Sequence, residues 1–312
     1  MKRIRIGLVG VGKIARDQHI PALRANGNYD LVACASRNAQ VDGVANHASL
    51  AEMLDAHPDL DAVAISTPPQ VHYEAASLAL ARGKHVFLEK PPCSTTAQLD
   101  RLAARAREAE RALFQTWHSR FARGVAPARR WLASRTLKRV TVTWKEDVRQ
   151  WHPGQTWIWQ AGGFGVFDPG INALSILTEI LSEAFFVTAA ELFVPKNCEA
   201  PIAADISFVT DGGVAIAAAF DFRHIGVQTW DIDVETDKGT LKLAEGGSKL
   251  FIDGTAVPGE GPDGPHGEYE ALYARFADLV ARGQSEVDGR PFQLVADSFL
   301  AGKRTSVEAF VE

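Results

Sequence analysis

The chain has 312 residues, of which 46% are hydrophobic and 23% are charged, and its formal net charge at pH 7 is −5. These values describe a globular protein long enough for two domains of about 100 to 200 residues each. Lys and Arg are interspersed with Asp and Glu, so there is no basic stripe for nucleic acid or for an anionic membrane surface. No stretch reaches the ~18 consecutive apolar residues that a membrane span needs. We therefore expect a small-molecule ligand, and no nucleic acid or membrane partner.

The three cysteines, Cys34, Cys93 and Cys198, are isolated and lack CxxC spacing. This pattern argues against a disulfide framework and a structural zinc, and it is typical of a reducing compartment. The histidines show no HExxH motif or other recognisable ligand spacing. We expect a cytoplasmic protein without a bound metal.

Up to about residue 120, short apolar or β-branched strands alternate with helix-like stretches. Such alternation predicts a βαβ series with a parallel sheet. The predicted strands are Arg3–Val9, Leu31–Ser36, Ala62–Thr67, His85–Glu89 and Leu113–Trp117, and the predicted helices are Gln70–Arg82 and Gln98–Arg111.

The first predicted strand runs into Gly10-x-Gly12-x-x-Ala15 and then into a helix, which is the order that a dinucleotide-binding turn requires. Gly10 allows the tight turn, Gly12 lets the backbone approach a pyrophosphate, and Ala15 lets the helix lie close to the strand. The helix N-terminus presents unpaired N–H groups and a favourable dipole to the phosphates. The residues expected to contact the cofactor here are Gly10, Gly12, Lys13 and Ile14.

The second predicted strand ends at Ser36-Arg37, where a site selective for NAD usually places Asp or Glu on the ribose 2′-hydroxyl. A carboxylate would repel a 2′-phosphate, whereas a hydroxyl and a guanidinium would bind it. The pair therefore predicts a preference for NADP, with NAD also used. The alternative is that Arg37 is a solvated loop residue.

Polar residues also follow later strands of the predicted sheet. Ligands of open α/β sheets bind beyond the carboxyl ends of the strands, so Lys90 in Glu89-Lys90-Pro91-Pro92 is expected near the nicotinamide, where a lysine can move a proton. The alternative is a surface ion pair between Lys90 and Glu89.

Trp117 and His118 follow the last predicted strand of this sheet. His118 either contacts the nicotinamide or substrate, or is a buried structural histidine.

After about residue 135 the pattern changes to longer alternating strands with turn signals, which predicts an open, mainly antiparallel sheet. We expect a dinucleotide-binding domain over residues 1–121 and a substrate-binding and oligomerisation domain over residues 122–312, with the C-terminal helix packing back on the first. The Gly/Pro-rich stretch Pro258–Gly267 is expected to be a surface loop or lid. The predicted strands are Arg139–Val148, Phe186–Val194, Asp205–Val209, Val214–Phe222, Gln228–Thr236 and Thr240–Leu243, and the predicted helices are Asn172–Leu181, Glu268–Arg282 and Gln293–Ala309.

Several motifs together resemble the glucose–fructose oxidoreductase/inositol dehydrogenase (Gfo/Idh/MocA) family. They are the GxGxxA start, Ser66-Thr67-Pro68-Pro69 with His72, Glu89-Lys90-Pro91, and Gly162-Gly163-x-Gly165-x-x-Asp168-x-Gly170-x-Asn172. The resemblance covers essentially the whole chain and implies an N-terminal Rossmann fold. The runs GKIARDQH, PPQVHY, KHVFLEKPP, TWHSR and GVFDPGINALSI further resemble the bacterial L-arabinose/D-galactose 1-dehydrogenases of that family.

The resemblance implies oxidation of a sugar hemiacetal carbon to a lactone, with hydride passing from C1 to the nicotinamide. It places Lys90 between cofactor and substrate, with Asp168 beside it, as a pair that can take the C1 hydroxyl proton. Either residue could be the formal base. The further cofactor contacts that it implies are Ser66, Thr67, Pro68, His72, Glu89, Trp117 and His118.

By the same resemblance, Glu146 and His152 of the segment Trp144–His152 contact the sugar, and Trp151, Trp157 or Trp159 stacks on an apolar pyranose face or covers the cofactor. If the resemblance is set aside, the segment Trp144–His152 is an aromatic-rich loop that is equally able to form an interface. Asn172 stands where many family members have His; an amide can orient a sugar hydroxyl but cannot carry a proton, which leaves proton transfer to Lys90 and Asp168. Alternatively, Asn172 caps a helix that begins there.

Three questions remain open at this stage. The reaction could be that of another polyol or inositol dehydrogenase on the same scaffold. The chain could also be a regulator that binds NAD(P) and sugar without catalysis. An open sheet in the second domain makes a homodimer possible.

Overall fold

The computed structural model describes residues 3–264 and 266–312. The chain divides into two compact units. The first unit runs to His118 and also takes up Pro262–Gly289, and the second comprises Ser119–Gly261 and Arg290–Glu312. The stretch 262–289, which the sequence analysis kept in the second domain, thus groups with the first unit.

The first unit contains a six-stranded sheet in which all neighbouring strands pair in parallel. The strand order is β3-β2-β1-β4-β5-β6, the doubly wound order of dinucleotide-binding folds, and it confirms the predicted parallel sheet. Ala45–His47 was not predicted as a strand, because three residues with polar Asn46 and His47 show no alternation. The strands are β1 (Ile4–Val9), β2 (Tyr29–Ala35), β3 (Ala45–His47), β4 (Ala62–Ile65), β5 (His85–Leu88) and β6 (Leu113–Gln115).

Two helices of the first unit begin with a side-chain cap. Thr95 caps the helix Thr96–Glu108 by accepting a hydrogen bond from the N–H of Gln98, and Ser49 caps the helix Leu50–Ala56 by accepting one from the N–H of Glu52. A π-helical stretch, Ala15–His19, precedes α1. In the described part of both units, the α-helices are α1 (Ile20–Ala25), α2 (Leu50–Ala56), α3 (His72–Ala81), α4 (Thr96–Glu108), α5 (Val125–Leu132), α6 (Val148–Trp151), α7 (Phe167–Ile180), α8 (Gly267–Arg282) and α9 (Arg290–Ala301).

Aromatic packing explains why α8 belongs to the first unit. Tyr273 of α8 stacks on Phe87 of β5 at 4.7 Å, and Phe276 packs edge-on against the same ring at 5.6 Å. The hydroxyl of Tyr29 donates to the backbone carbonyl of Tyr273 at 2.7 Å. Helix α8 therefore packs within the first unit, and the packing of the C-terminal helix on the first domain stays a prediction.

The second unit contains a nine-stranded sheet in the order β14-β13-β12-β11-β7-β10-β9-β8-β15. Most neighbours pair antiparallel, as predicted; β7 with β10 and β8 with β15 pair in parallel. The strands are β7 (Leu137–Lys145), β8 (Phe185–Pro195), β9 (Ala203–Thr210), β10 (Ala215–Asp221), β11 (Thr229–Thr236), β12 (Gly239–Ala244), β13 (Lys249–Ile252), β14 (Thr255–Val257) and β15 (Gly302–Val307).

Two helix boundaries in the second unit correct the sequence analysis. The predicted helix Gln293–Ala309 ends at Ala301, and residues 302–307 form β15, in which paired backbone groups override the helical spacing of the side chains. Helix α7 begins at Phe167 and not at Asn172, so Asn172 lies inside the helix and does not cap it. Pro169 is tolerated there because it occupies the first turn, where its missing N–H costs no helical bond.

The Gly/Pro-rich stretch Pro258–Gly267 includes Pro265, which lies outside the described residues. Its residues 258–264 form neither helix nor strand. In the described part of the chain, none of the helices combines the length and apolar character that crossing a membrane takes.

Candidate active site

The glycine turn at the end of β1 joins the carboxyl ends of three neighbouring strands. Gly10 has φ +87°, and a Cβ there would lie 2.9 Å from the carbonyl oxygen of Ser66 after β4. The N–H of Gly10 donates to Ala35 of β2, and the hydroxyl of Ser66 donates to the carbonyl of Gly10 at 2.8 Å. Only glycine fits this turn, because its φ and its close contact with β4 both exclude a side chain.

The presence of glycine at position 12 has a different explanation. A Cβ at this position would meet no described atom within 4 Å, so the protein interior does not require its absence. The residues beside it also face outward: Ile14 is 38% exposed, and Lys13 is exposed and paired with Asp17. An open backbone at the start of a helical segment fits a dinucleotide pyrophosphate, which needs close approach of main-chain N–H groups.

Ser36 and Arg37 follow β2 directly beside this turn. The N–H of Ser36 donates to His47 of β3 at 2.9 Å, which holds the start of the loop. Arg37 is exposed and makes no hydrogen bond or ion pair with any residue that the structure describes. Arg16 donates to the carbonyl of Gln40 in the same loop at 3.4 Å. Two guanidinium groups therefore approach this loop, which fits an anionic ligand group.

Glu89, at the end of β5, is a buried carboxylate that is only 3% exposed. Its Oε1 accepts a hydrogen bond from the Tyr269 hydroxyl at 2.8 Å, and its Oε2 accepts one from the backbone N–H of Lys90 at 2.8 Å. Nε2 of His19, a fully buried residue, lies 3.1 Å from Oε1. The alternative of a surface ion pair between Glu89 and Lys90 is therefore wrong, because Glu89 is not at the surface.

The environment of Glu89 keeps it ionised. Burial by itself would raise the pKa of this carboxyl, but the adjacent His19 imidazole, the charge of His118 and the Tyr269 hydroxyl together lower it to about 2. Burial, followed by the charge of Glu89, raises the pKa of Tyr269 well above its usual value, so its proton stays available for donation. The backbone of Lys90 is thus held by a permanently charged group.

His72 is completely buried and braces the two loops that follow β4 and β5. Its Nε2 lies 2.6 Å from the carbonyl of Thr67 and its Nδ1 lies 3.2 Å from that of Pro92. Burial lowers the pKa of this imidazole despite both carbonyls, and a neutral ring donates to one of them. Ser66, Thr67 and Pro68 lie in the first of these loops, so His72 positions residues that were predicted to bind cofactor.

Trp117 and His118 follow β6 at the same sheet edge. The indole of Trp117 is 3% exposed and donates to the carbonyl of Asp288 at 3.0 Å. His118 is partly buried; its Nδ1 lies 2.6 Å from Oε2 of Glu268, and its ring stacks on Tyr269 at 5.7 Å. Through Tyr269, the ring of His118 is linked to the buried Glu89.

In the second unit, Glu146, His152 and Asp168 form one cluster. Nε2 of His152 lies 3.0 Å from Oε1 of Glu146, and its Nδ1 lies 3.5 Å from Oδ2 of Asp168. Glu146 is 2% exposed and Asp168 is 4% exposed, whereas the His152 side chain is 13% exposed. An imidazole between two buried carboxylates has both ring nitrogens oriented, so His152 can present a defined face to a ligand.

Asp168 and Asn172 are placed by the register of α7. They are four residues apart on this helix, so they lie on the same face. The Oδ1 atom of Asn172 is buried and accepts no hydrogen bond from the described residues. A buried carbonyl oxygen without a donor is costly, and a ligand hydroxyl would satisfy it.

The second carboxylate oxygen of Glu146 is bound by a tryptophan, which in turn packs against another. The indole N–H of Trp230 on β11 donates to Oε2 of Glu146 at 2.8 Å, and Trp151 packs against Trp230 at 5.0 Å. The strand that carries Trp230 was predicted from the sequence, but roles for Trp230, His19 and Tyr269 were not. All three act through contacts with residues far away in the chain, and although His19 ends the run GKIARDQH, that run does not reveal its contact with Glu89.

The described residues include no group of three or more His, Cys, Asp or Glu side chains arranged to hold a metal ion. The described cysteines form no disulfide, and Cys34 and Cys93 are buried.

Comparison with known proteins relates this geometry to a family. Residues 4–116 match the model of an oxidoreductase family, Gfo/Idh/MocA, that has an NAD-binding Rossmann fold. Over 312 residues the chain is 47% identical to galactose 1-dehydrogenase from Pseudomonas fluorescens, with 100% of both chains covered. The chain belongs to the Gfo/Idh/MocA oxidoreductase family. The resemblance found in the sequence motifs is thereby confirmed.

Solved structures extend the comparison within this fold. The crystal structure of D-galactose-1-dehydrogenase from Rhizobium etli superposes with a TM-score of 0.93 at 52% identity, covering 100% of this chain and 99% of that one. A 3-ketoreductase from Actinomadura kijaniata, in complex with NADP and TDP-benzene, superposes with a TM-score of 0.84 at 20% identity, covering 98% and 100%. At that identity, the second likeness shows the fold alone. The protein is thus a Gfo/Idh/MocA oxidoreductase with an NAD-binding Rossmann fold.

Proposed function

We propose that the protein is an NAD(P)-dependent aldose 1-dehydrogenase that oxidises C1 of D-galactose and L-arabinose to the lactone. The observation that carries the proposal is the end-to-end likeness to two galactose 1-dehydrogenases, at 47% and 52% identity. The two sugars share their configuration around the pyranose ring and differ by one hydroxymethyl group, so a pocket open at that carbon accepts both.

The site geometry supports a polyhydroxylated substrate. The buried Oδ1 of Asn172 offers an acceptor for a sugar hydroxyl. His152, held by Glu146 and Asp168 through its two ring nitrogens, offers the face of its ring to the same substrate. Glu146 itself is enclosed by His152 and Trp230, so we assign it to holding His152 in place. Trp151 provides an aromatic surface next to these polar groups, an arrangement that suits the apolar face of a pyranose.

Proton transfer in this proposal belongs to Lys90 and Asp168. As C1 becomes a carbonyl, its hydroxyl proton passes to one of these two side chains, and C1 loses a hydride. When bound, the nicotinamide supplies the hydride acceptor. Asn172 cannot take the proton, because an amide does not titrate in this range. Glu89 keeps the Lys90 main chain in place through its 2.8 Å hydrogen bond.

We further propose that NADP is preferred over NAD, with Ser36 and Arg37 binding the 2′-phosphate. Arg37 is exposed beside the glycine turn and has no competing partner among the described residues. Arg37→Ala should raise the KM for NADP at least tenfold and leave the KM for NAD within about twofold, since a charge-assisted hydrogen bond is worth about 1.5–3 kcal/mol. An equal effect on both cofactors would contradict the assignment.

Initial rates of cofactor reduction with D-galactose, L-arabinose, D-xylose, D-glucose and myo-inositol test the substrate. We expect turnover with galactose and arabinose and faster rates with NADP. Turnover with myo-inositol alone would contradict the proposed sugar substrates and indicate a polyol dehydrogenase. Cofactor binding without turnover on any of these sugars would favour a regulator.

Paired variants test the proposed proton-transfer residues. Lys90→Met and Asp168→Asn should each lower kcat by about 100-fold or more, the usual worth of a general acid or base. The controls are Lys138→Met and Asp211→Asn, which make the same changes at exposed positions. A Lys90→Met protein with activity within threefold of the parent would refute the assignment. The pH–rate profiles of both variants identify the formal base.

A homodimer is also part of the proposal. Light scattering during size-exclusion chromatography tests it directly, and a mass of 33.8 kDa, that of one chain, would refute it. The cytoplasmic location expected from the isolated thiols stays a prediction.

A further inference from the structure

We infer that Phe310 is a positioning residue for the proposed sugar site, because it holds in place the loop that carries His152. The sugar-site loop comprises residues 148–160, and the C-terminal segment comprises residues 308–312. The substrate class in this inference rests on the proposed function, whereas the link between the segment and the loop rests on contacts within the second unit.

The sugar-site loop has little internal support. Its regular structure consists of α6, which is four residues long, and a 3₁₀ turn at Thr156–Trp159. Helices this short are unstable in isolation, because nucleation fixes several residues for a single hydrogen bond. The loop therefore depends on tertiary contacts for a defined conformation.

The C-terminal segment is anchored by a reciprocal amide pair. The side-chain NH₂ of Asn197 donates to the carbonyl of Phe310 at 2.7 Å, and Oδ1 of Asn197 accepts from the N–H of Phe310 at 2.9 Å. Both bonds involve the backbone of Phe310, so they hold the main chain from which its ring projects. Asn197 follows β8, which gives the anchor a firm base in the sheet.

The C-terminal segment makes four contacts with the sugar-site loop, one of them a hydrogen bond from the N–H of Gly154 to Oε1 of Glu312. The Phe310 ring packs on Trp159 at 4.9 Å, and the Arg149 guanidinium lies 5.0 Å from the centroid of the Phe310 ring. Arg149 also donates to the carbonyl of Val311 at 2.9 Å. The C-terminal segment thus contacts the sugar-site loop at Arg149 and Trp159, which lie close to the two ends of the loop.

A continuous series of rings connects Phe310 with His152. Trp159 packs edge-on against Phe222 at 5.8 Å, and Phe222 packs against the His152 ring at 5.3 Å. The series Phe310–Trp159–Phe222–His152 therefore links the C-terminal segment to the imidazole. Loss of the first ring leaves Trp159 without its outer support and gives His152 more freedom to move.

Phe310→Ala tests the inference, with Val311→Ala as the matched control. Val311 is the next residue, its side chain is 74% exposed, and its contact with Arg149 uses only the backbone. In Phe310→Ala, amide hydrogen exchange over residues 148–160 should accelerate at least fivefold, and the KM for galactose should rise about five- to twentyfold. The KM for NADP should stay within twofold, and Phe310→Tyr should restore both properties.

A second variant keeps the inference testable if Phe310→Ala does not fold. Asn197→Asp keeps the acceptor for the Phe310 N–H and removes the donor to its carbonyl, so it should give the same changes at smaller amplitude. Unchanged exchange over residues 148–160 in both Phe310→Ala and Asn197→Asp would overturn the inference, as would equal effects of Val311→Ala. If the parent does not oxidise galactose, the proposed function fails, while the exchange measurement still decides whether Phe310 positions the loop.

Discussion

Replacing Glu89 by glutamine should destabilise the first unit substantially at neutral pH. The carboxyl is 3% exposed, and its pKa is about 2 instead of the usual 4.5. Since each pKa unit corresponds to about 1.4 kcal/mol, the ionised group contributes about 3 kcal/mol to folding at pH 7. Glutamine keeps the shape, but its NH₂ group cannot accept a hydrogen bond, so either the Tyr269 hydroxyl or the Lys90 N–H loses its acceptor.

The pH dependence has a definite sign. The pKa of Glu89 is lower in the folded state than in the unfolded state, so its stabilising contribution is complete above the unfolded pKa of 4.5 and is lost as the pH falls towards about 2. Below 4.5 the parent should lose about 1.4 kcal/mol per pH unit from this group, and Glu89→Gln should not. The difference in free energy of unfolding between the two proteins should therefore be largest at neutral pH and shrink in acid.

Guanidinium unfolding followed by circular dichroism at about pH 7, 4.5 and 3.5 measures this difference. Glu74→Gln is the control, because it makes the same change at an exposed position on α3 of the same unit, where the cost should stay below about 1 kcal/mol. A gap between parent and Glu89→Gln that is constant over this range, or that widens in acid, would show that Glu89 is not held ionised by its partners.

Three further substitutions separate binding from folding. Gly12→Ala should leave the melting temperature within about 1 °C, because the new methyl group meets no described atom, yet raise the Kd for NADP at least tenfold in a fluorescence titration; normal binding would show that the phosphates lie elsewhere. Asn172→Ala should raise the KM for galactose about tenfold with little change in the KM for NADP, as expected for one lost hydrogen bond to a substrate hydroxyl. Trp230→Phe removes the indole donor to Glu146 and should raise the KM for galactose by about threefold to tenfold; an unchanged KM would mean that Glu146 needs no second partner.

The first unit was largely predictable because its signals are local. The strand, the glycine turn and the following helix are contiguous in sequence, and the φ of +87° at Gly10 is a backbone requirement that glycine reveals directly. The position of Lys90 was predictable from local sequence too, because Lys90 follows shortly after the end of β5. The support of Lys90 was not predictable, because Glu89 receives its partners from residues 19 and 269, far away in the chain.

The second unit was predicted less completely. Glu146 and His152 were expected to contact the sugar together, and the structure does place them 3.0 Å apart, but Glu146 is enclosed by its protein partners. The start of α7 was placed five residues late, since glycine and proline in one segment indicate a loop. Neither acts as a helix breaker here: Pro169 occupies the first turn, and Gly170 meets a neighbouring strand.

That contact at Gly170 also explains how the site residues of α7 are aimed. A Cβ on Gly170 would lie 2.7 Å from the ring of Phe220 on β10, so glycine lets the helix approach the sheet closely along this line. At about 100° per residue, Asp168 and Asn172 lie about 40° apart around the helix axis, and Gly170 lies about 160–200° away from both. The face that packs on Phe220 is therefore opposite the face that carries the carboxylate and the amide. A residue larger than glycine would push or rotate the helix and move Asp168 and Asn172 together, so Gly170 positions both residues of the proposed site.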